Sequence, residues 1–178
     1  MEYVAIIVLL ALSAFFSSSE TAISSVNKIR LKHEAAEGNK KAERTLKLAE
    51  EYDKTITTIL VGNNIVNILS ASLAPLICTT LFAEKYGTGP AAAISTVAMT
   101  LLVLIFGEIL PKSIAKQHAD TIAPAVSGAL RFFLVVLTPV TIFFGALQKA
   151  ASKFFGSGKG APSVTEDEIG RASGRERV

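Results

Sequence analysis

Apolar residues occur in four long runs, and the polar stretches between them fix the elements. Tyr3 to Ser19 is uncharged and, after Glu20, Thr21 to Asn27 is uncharged again, giving one helix with a carboxylate near its far end. Thr55 to Ala83 carries no charge. At about 1.5 Å per residue this run exceeds the roughly 30 Å hydrocarbon core of a bilayer, so it spans with tilt to spare. A third run, Gly87 to Gly107, stops at Glu108 with Pro111 and Lys112 close behind. Only Glu84 to Pro90 (EKYGTGP) separates the second run from the third, which predicts an antiparallel hairpin. The pattern predicts an all-α membrane protein with spans over about 3–27, 55–83 and 88–110.

Charge sets orientation and fills in the connections. Lys28, Arg30, Lys32, Lys40, Lys41, Arg44, Lys47 and Lys54 crowd the first connection, whereas the second has only Lys85. By the positive-inside rule the first connection is cytoplasmic and the N-terminus is outside, in a multi-pass cell-membrane protein. Leu31 to Tyr52, rich in Ala, Glu, Lys and Leu, predicts one or two juxtamembrane helices within about 29–53. The last apolar stretch, Ile122 to Leu147, carries Arg131, contains Pro124 and Pro139, and is followed by Lys149, Lys153 and Lys159. A crossing there would put those lysines outside. The expectation is an interfacial or re-entrant pair of helices over about 122–154 that returns to a cytoplasmic C-terminus, in preference to a fourth span. Residues 161–178 read as the start of a linker followed by an appended tail.

Composition narrows the function. Half of the 178 residues are hydrophobic and there is no Trp. The net charge of +3 comes from basic residues lying between apolar runs, with no basic stripe interleaved with aromatics, so nucleic acid is not the expected partner. Membrane lipid is. Cys78, the lone cysteine, sits in an apolar run and predicts packing. His33 and His118 lack Cys or carboxylate partners at metal or triad spacing, so no enzyme is expected.

Three polar phrases interrupt the apolar runs. Phe15 to Ser25 (FFSSSETAISS) places hydroxyls and Glu20 in the inner part of the first span. One serine can satisfy itself on a carbonyl of the preceding turn, but three in a row beside a glutamate ask for more. Gly62 to Asn67 (GNNIVN) puts Asn63 and Asn67 on one helix face, continued by Ser70, with Asn64 pointing elsewhere. Interhelical hydrogen bonding would return only about 0.6 kcal/mol per pair in a membrane, little for three desolvated carboxamides. In Phe106 to Lys112 (FGEILPK), Pro111 has no N–H and obstructs the Gly107 carbonyl, freeing it beside Glu108. A Glu108–Lys112 helical salt bridge is the plain alternative. Together the phrases offer hydroxyl, carboxamide, carboxylate and backbone oxygens and no soft ligand, the set that suits a hard cation. Broken helices commonly build such sites in transporters.

FFSSSETAISSVNKIRL at Phe15 to Leu31, VGNNIVNI at Val61 to Ile68 and GEILPKSIA at Gly107 to Ala115 closely resemble the transmembrane domain of the CNNM/CorC family of magnesium transporters. The resemblance covers essentially Met1 to Glu168, with the domain over 1–160. It implies a homodimer with three spans per subunit, Mg2+ bound between the spans, and Mg2+ export coupled to Na+ entry. The residues it points to as ion ligands are Ser17, Ser19, Asn63, Asn67, Gly107 through its carbonyl, and Glu108. Family members normally continue into CBS nucleotide-binding domains, which these residues do not include. Two rival expectations stand beside transport: a Mg2+-sensing module that moves nothing, and a structural anchor in which Asn and Ser serve only as helix glue.

Overall fold

The computed structural model describes residues 2–143, and they are helical with no strand among them. The elements are α1 (Glu2–Ser25), α2 (Lys28–Ala36), α3 (Lys40–Glu50), α4 (Tyr52–Tyr86), α5 (Thr88–Leu102), a π-helical segment (Val103–Ile109), α6 (Leu110–Gln117) and α7 (Ala119–Val136). The far part of the expected belt, 144–154, the linker, the tail and the side chain of Cys78 lie outside the described residues.

Local chemistry explains the boundaries. Asn27 caps α2, its side-chain oxygen accepting from the Ile29 and Arg30 N–H groups, and Asn39 does the same for α3 at Lys41 and Ala42. Gly38, at φ 90°, and Gly87, at φ 81°, turn the chain between α2 and α3 and between α4 and α5. The predicted juxtamembrane stretch is thus two short helices, and α4 and α5 pack as the predicted hairpin. Arg30 bonds Glu34 through Nε at 2.8 Å and reaches Asp120 at 3.4 Å, tying α2 to the start of α7. The hydrogen bond and charge of Glu34, with Asp120 nearby, raise the already high Arg30 pKa, so the guanidinium keeps its charge.

Helix α1 is the centre of the fold, packing against α4, the π segment, α6 and α7. Its buried residues are mostly small, Ser13, Ser17, Ser19 and Ala22, together with Phe16 and Ile23. Ala115 and Ala123 meet the same core from α6 and α7. Small residues let helix backbones approach closely where the hydrophobic effect gives no help. Gly62 shows the tolerance: a Cβ there would fall 2.5 Å from Cζ of Phe16, so the ring can lie on α4 only over a glycine. Phe16 also packs edge-on against Phe133 of α7, with ring centroids 4.9 Å apart.

Two outcomes depart from expectation. The third run does not stop at Pro111 but stays helical to Gln117, because the π segment shifts the register just ahead of the proline. And among the described residues four helices, not three, are long and apolar enough to cross a membrane: Tyr3–Ser25, Tyr52–Ile77, Thr88–Gln117 and Ala119–Val136. Pro124 does not end α7, since it lies near the helix start and takes one donor from a helix that continues regardless. Against α7 lies the polar α3 as well as α1.

Candidate ion site

Close approach of α1 to the π segment creates the site. Gly107 is buried, and a Cβ on it would stand 2.7 Å from Ser13 Oγ. A side chain at 107 would push the two helices apart. The glycine therefore brings the Ser13 hydroxyl, the Gly107 backbone and Glu108 to one level, opposite the asparagines of α4.

The polar contacts form a chain across three elements. Ser13 Oγ donates to Asn67 Oδ1 at 2.9 Å and lies 3.3 Å from Asn63 Oδ1. Asn67 Nδ2 donates to Glu108 Oε1 at 3.1 Å. That donation to a carboxylate fixes which way the Asn67 amide points, with its oxygen toward Ser13. A hydroxyl carries one proton, yet two carboxamide oxygens face it. It can donate to only one of them at a time, and the oxygen left over is free to take a cation.

Two further hydroxyls extend the polar surface. Ser17, one turn from Ser13 on the same face of α1, is fully buried and its Oγ has no hydrogen-bond partner. Ser70, three residues beyond Asn67 on α4, is in the same condition. An unpaired buried hydroxyl costs roughly 1–3 kcal/mol, so two of them flanking the asparagines are a standing demand for a polar occupant.

The sequence-derived residues divide clearly. Asn63, Asn67, Gly107 and Glu108 are brought together with Ser13, and Ser17 lies adjacent along α1. Ser19 is not brought in: two residues from Ser17, it sits on another side of α1, and its hydroxyl donates to the Phe15 carbonyl at 2.7 Å. Asn64 is exposed on the far side of α4, as its spacing predicted. Glu108 does not pair with Lys112, whose Nζ instead meets Glu20 Oε2 at 2.9 Å. Ser13 escaped the sequence reading because it stands alone in an apolar run. Its spacing of four from Ser17 was the available signal.

Helix breaking at the site also differs in detail from the sequence argument. The Leu110 N–H donates to the Ile105 carbonyl, five residues back. Pro111 can therefore donate neither to Phe106 in the π register nor to Gly107 in the α register, and both carbonyls are touched by its missing N–H. Among the described residues no cluster of three or more His, Cys, Asp or Glu exists. The donors present are neutral oxygens and one carboxylate, which fits a hard, oxygen-seeking ion and not a soft one.

A multi-helix membrane domain with an interior cluster of carboxamide, hydroxyl and carboxylate groups is the class that fold and site define. The chain belongs to the CNNM family: residues 4–174 match the model of the cyclin M transmembrane N-terminal domain. It is 34% identical over 145 residues to the UPF0053 inner membrane protein YfjD of Escherichia coli K12, covering 82% of this chain and 33% of that protein. A DUF21 domain-containing chloroplastic protein of Arabidopsis thaliana is 35% identical over 163 residues, 91% of this chain and 24% of its own length. A polyamine export protein of Haemophilus influenzae is 30% identical over 159 residues, 85% of this chain and 37% of its own. The chain spans about a third of the length of such relatives.

Proposed function

We propose that this domain carries magnesium ions across the membrane, with Ser13, Asn63, Asn67 and Glu108 as side-chain ligands and Ser17 as a further hydroxyl in reach. The observation that carries the reading is the convergence of two carboxamide oxygens on a single hydroxyl proton beside a carboxylate. A cation replacing that proton's role would take oxygens from α1, α4 and the π segment at once. Mg2+ favours six oxygens at about 2.0–2.1 Å and keeps several waters, so a partly formed protein shell suits it. One carboxylate offsets only half of a dication's charge. Affinity is then modest, which transport requires if the ion is to leave.

The placement of the ligands supports alternating access. Those of α1 and α4 are on continuous helices, while Gly107 and Glu108 are on the π segment, an interruption of a kind found frequently at functional sites. Register change there would swing Glu108 relative to Asn67 and open the site to one side or the other. Sodium entry is the proposed driving force, with the basic α2 and α3 on the cytoplasmic side and the N-terminus outside. Isothermal titration of the purified chain with MgCl2 tests the site. Asn67→Ala and Glu108→Gln should each weaken binding by about ten-fold or more. Unchanged affinity in both removes this site from the account, and uptake into vesicles holding a magnesium dye separates a transporter from a sensor that only binds.

A second reading has its own observation, since a relative 30% identical to this chain is named a polyamine export protein. Carboxamide oxygens and a carboxylate also accept hydrogen bonds from alkylammonium groups. Spermidine competing with Mg2+ in the same titration, and losing affinity in the same variants, would favour the organic cation.

A further inference from the structure

Away from the ion site, a cavity of about 770 Å³ opens between α3, the first turn of α4 and α7. Its charged wall includes Arg44 and Lys47 of α3 and Arg131 of α7, and its apolar wall includes Leu134 and Val135 of α7. Arg44 and Arg131 are unusually placed. A Cβ on Gly128 would lie 3.0 Å from Nη1 of Arg44, so this guanidinium rests against the backbone of α7 at Gly128. Arg131 is three residues further on, on the same face of α7. Arg44 of α3 and Arg131 of α7 thus line the same cavity within about one turn of α7.

Positive charge prevails along the lining, five basic side chains against three carboxylates. Glu43, Glu50 and Glu51 border the cavity, but the ion pair formed there among the described residues is Glu51 with Lys54, at 3.3 Å. Among the described residues Arg44, Lys47 and Arg131 form no ion pair. An excess of positive charge at a membrane boundary favours a counter-anion, and bidentate guanidinium geometry favours a phosphate. The apolar side indicates where that phosphate comes from. Phe132, Val135 and Val136 are all more than half exposed, next to Arg131 on the same helix.

We propose that this cavity binds the headgroup of an anionic phospholipid, its phosphate held between Arg44 and Arg131 and its acyl chains lying along Leu134 and Val135. The bound lipid bridges α3 and α7, neutralises the two arginines and places α7 against the bilayer. Basic pockets between membrane helices at the headgroup level are suited to such ligands. Free phosphate shares the recognition chemistry but makes no use of the apolar wall.

Native mass spectrometry of the detergent-purified full chain, titrated with phosphatidylglycerol, phosphatidylcholine or inorganic phosphate, tests the assignment. Phosphatidylglycerol should be retained in preference to phosphatidylcholine. Neutralising each arginine should weaken it by about five-fold, so Arg44→Gln/Arg131→Gln loses roughly twenty-five-fold. Arg44→Lys/Arg131→Lys, which keeps the charge and loses the bidentate fork, should retain only part of the preference, and the charge-matched Lys28→Gln/Lys32→Gln on exposed α2 should keep all of it. If the double glutamine variant does not fold, Arg131→Gln alone carries the test, because that side chain is exposed. Equal loss in the α2 variant, no loss in the arginine variants, or inorganic phosphate occupying the site as well as phosphatidylglycerol would each overturn the proposal.

Discussion

At the residue scale, Ser13 and Gly107 form one device, a small residue on each of two helices so that a hydroxyl can sit at a backbone. Gly107→Ala would drive a methyl to 2.7 Å from Ser13 Oγ, and its cost should be about 1–3 kcal/mol of stability, read as a fall in the thermal midpoint in detergent. Adding Ser13→Gly should restore that midpoint and leave cation binding impaired, a split that general misfolding would not produce. Ser13→Ala alone removes the one donor shared by Asn63 and Asn67 and should weaken Mg2+ binding by about five- to ten-fold in calorimetry. Most of this cluster was legible beforehand, because spacing of four places Asn63 with Asn67 and an intramembrane carboxylate marks a site. Ser19 was misplaced for the opposite reason. Runs of serine look alike in sequence, and only the helix phase shows which hydroxyl turns back to its own backbone.

At the scale of elements, the sequence pattern yields helices, hairpin and caps, yet not the π segment, because proline and glycine announce a disturbance without its register. Pro111 suggested a stop; the structure absorbs it in a helix that has already shifted to i→i−5 bonding. Pro111→Ala returns an N–H to a carbonyl at this bend. The variant should be no less stable than the parent and should bind Mg2+ several-fold more weakly; wild-type affinity would detach the proline from the ion site. Helix α7 shows the same from another side: of the two prolines expected to interrupt the last apolar stretch, Pro124 lies inside the helix near its start, whereas the helix ends at Val136, just ahead of Pro139.

At the scale of the whole molecule, the polar contacts of α1 include two levels, the Ser13 cluster and the Glu20–Lys112 ion pair seven residues along. Both levels join α1 to the helix that contains the π segment. The ion pair is partly exposed, so its coupling in a double-mutant cycle of Glu20→Gln and Lys112→Met should be about 0.5–1 kcal/mol. Exchanging the two charges should recover that coupling, whereas a coupling near zero would make the pair ornamental. Lys112 was expected to lean on Glu108, four residues back; tertiary packing gave it a partner on another helix that spacing alone could not foresee.

A π segment is a helix with one residue too many for its register, and this has a consequence for the chain read as a count. Each residue turns a helix by about 100°, so winding the same residues, Val103–Ile109 included, as one regular α-helix would put a surplus residue's rotation back into the chain. Everything after the segment would then be turned by about that angle against everything before it. If α5 kept its seat against α4, Glu108 would leave Asn67 and Lys112 would leave Glu20 in the same stroke. The surplus residue acts as a phase shift, setting two polar contacts on one helix into step with two different neighbours.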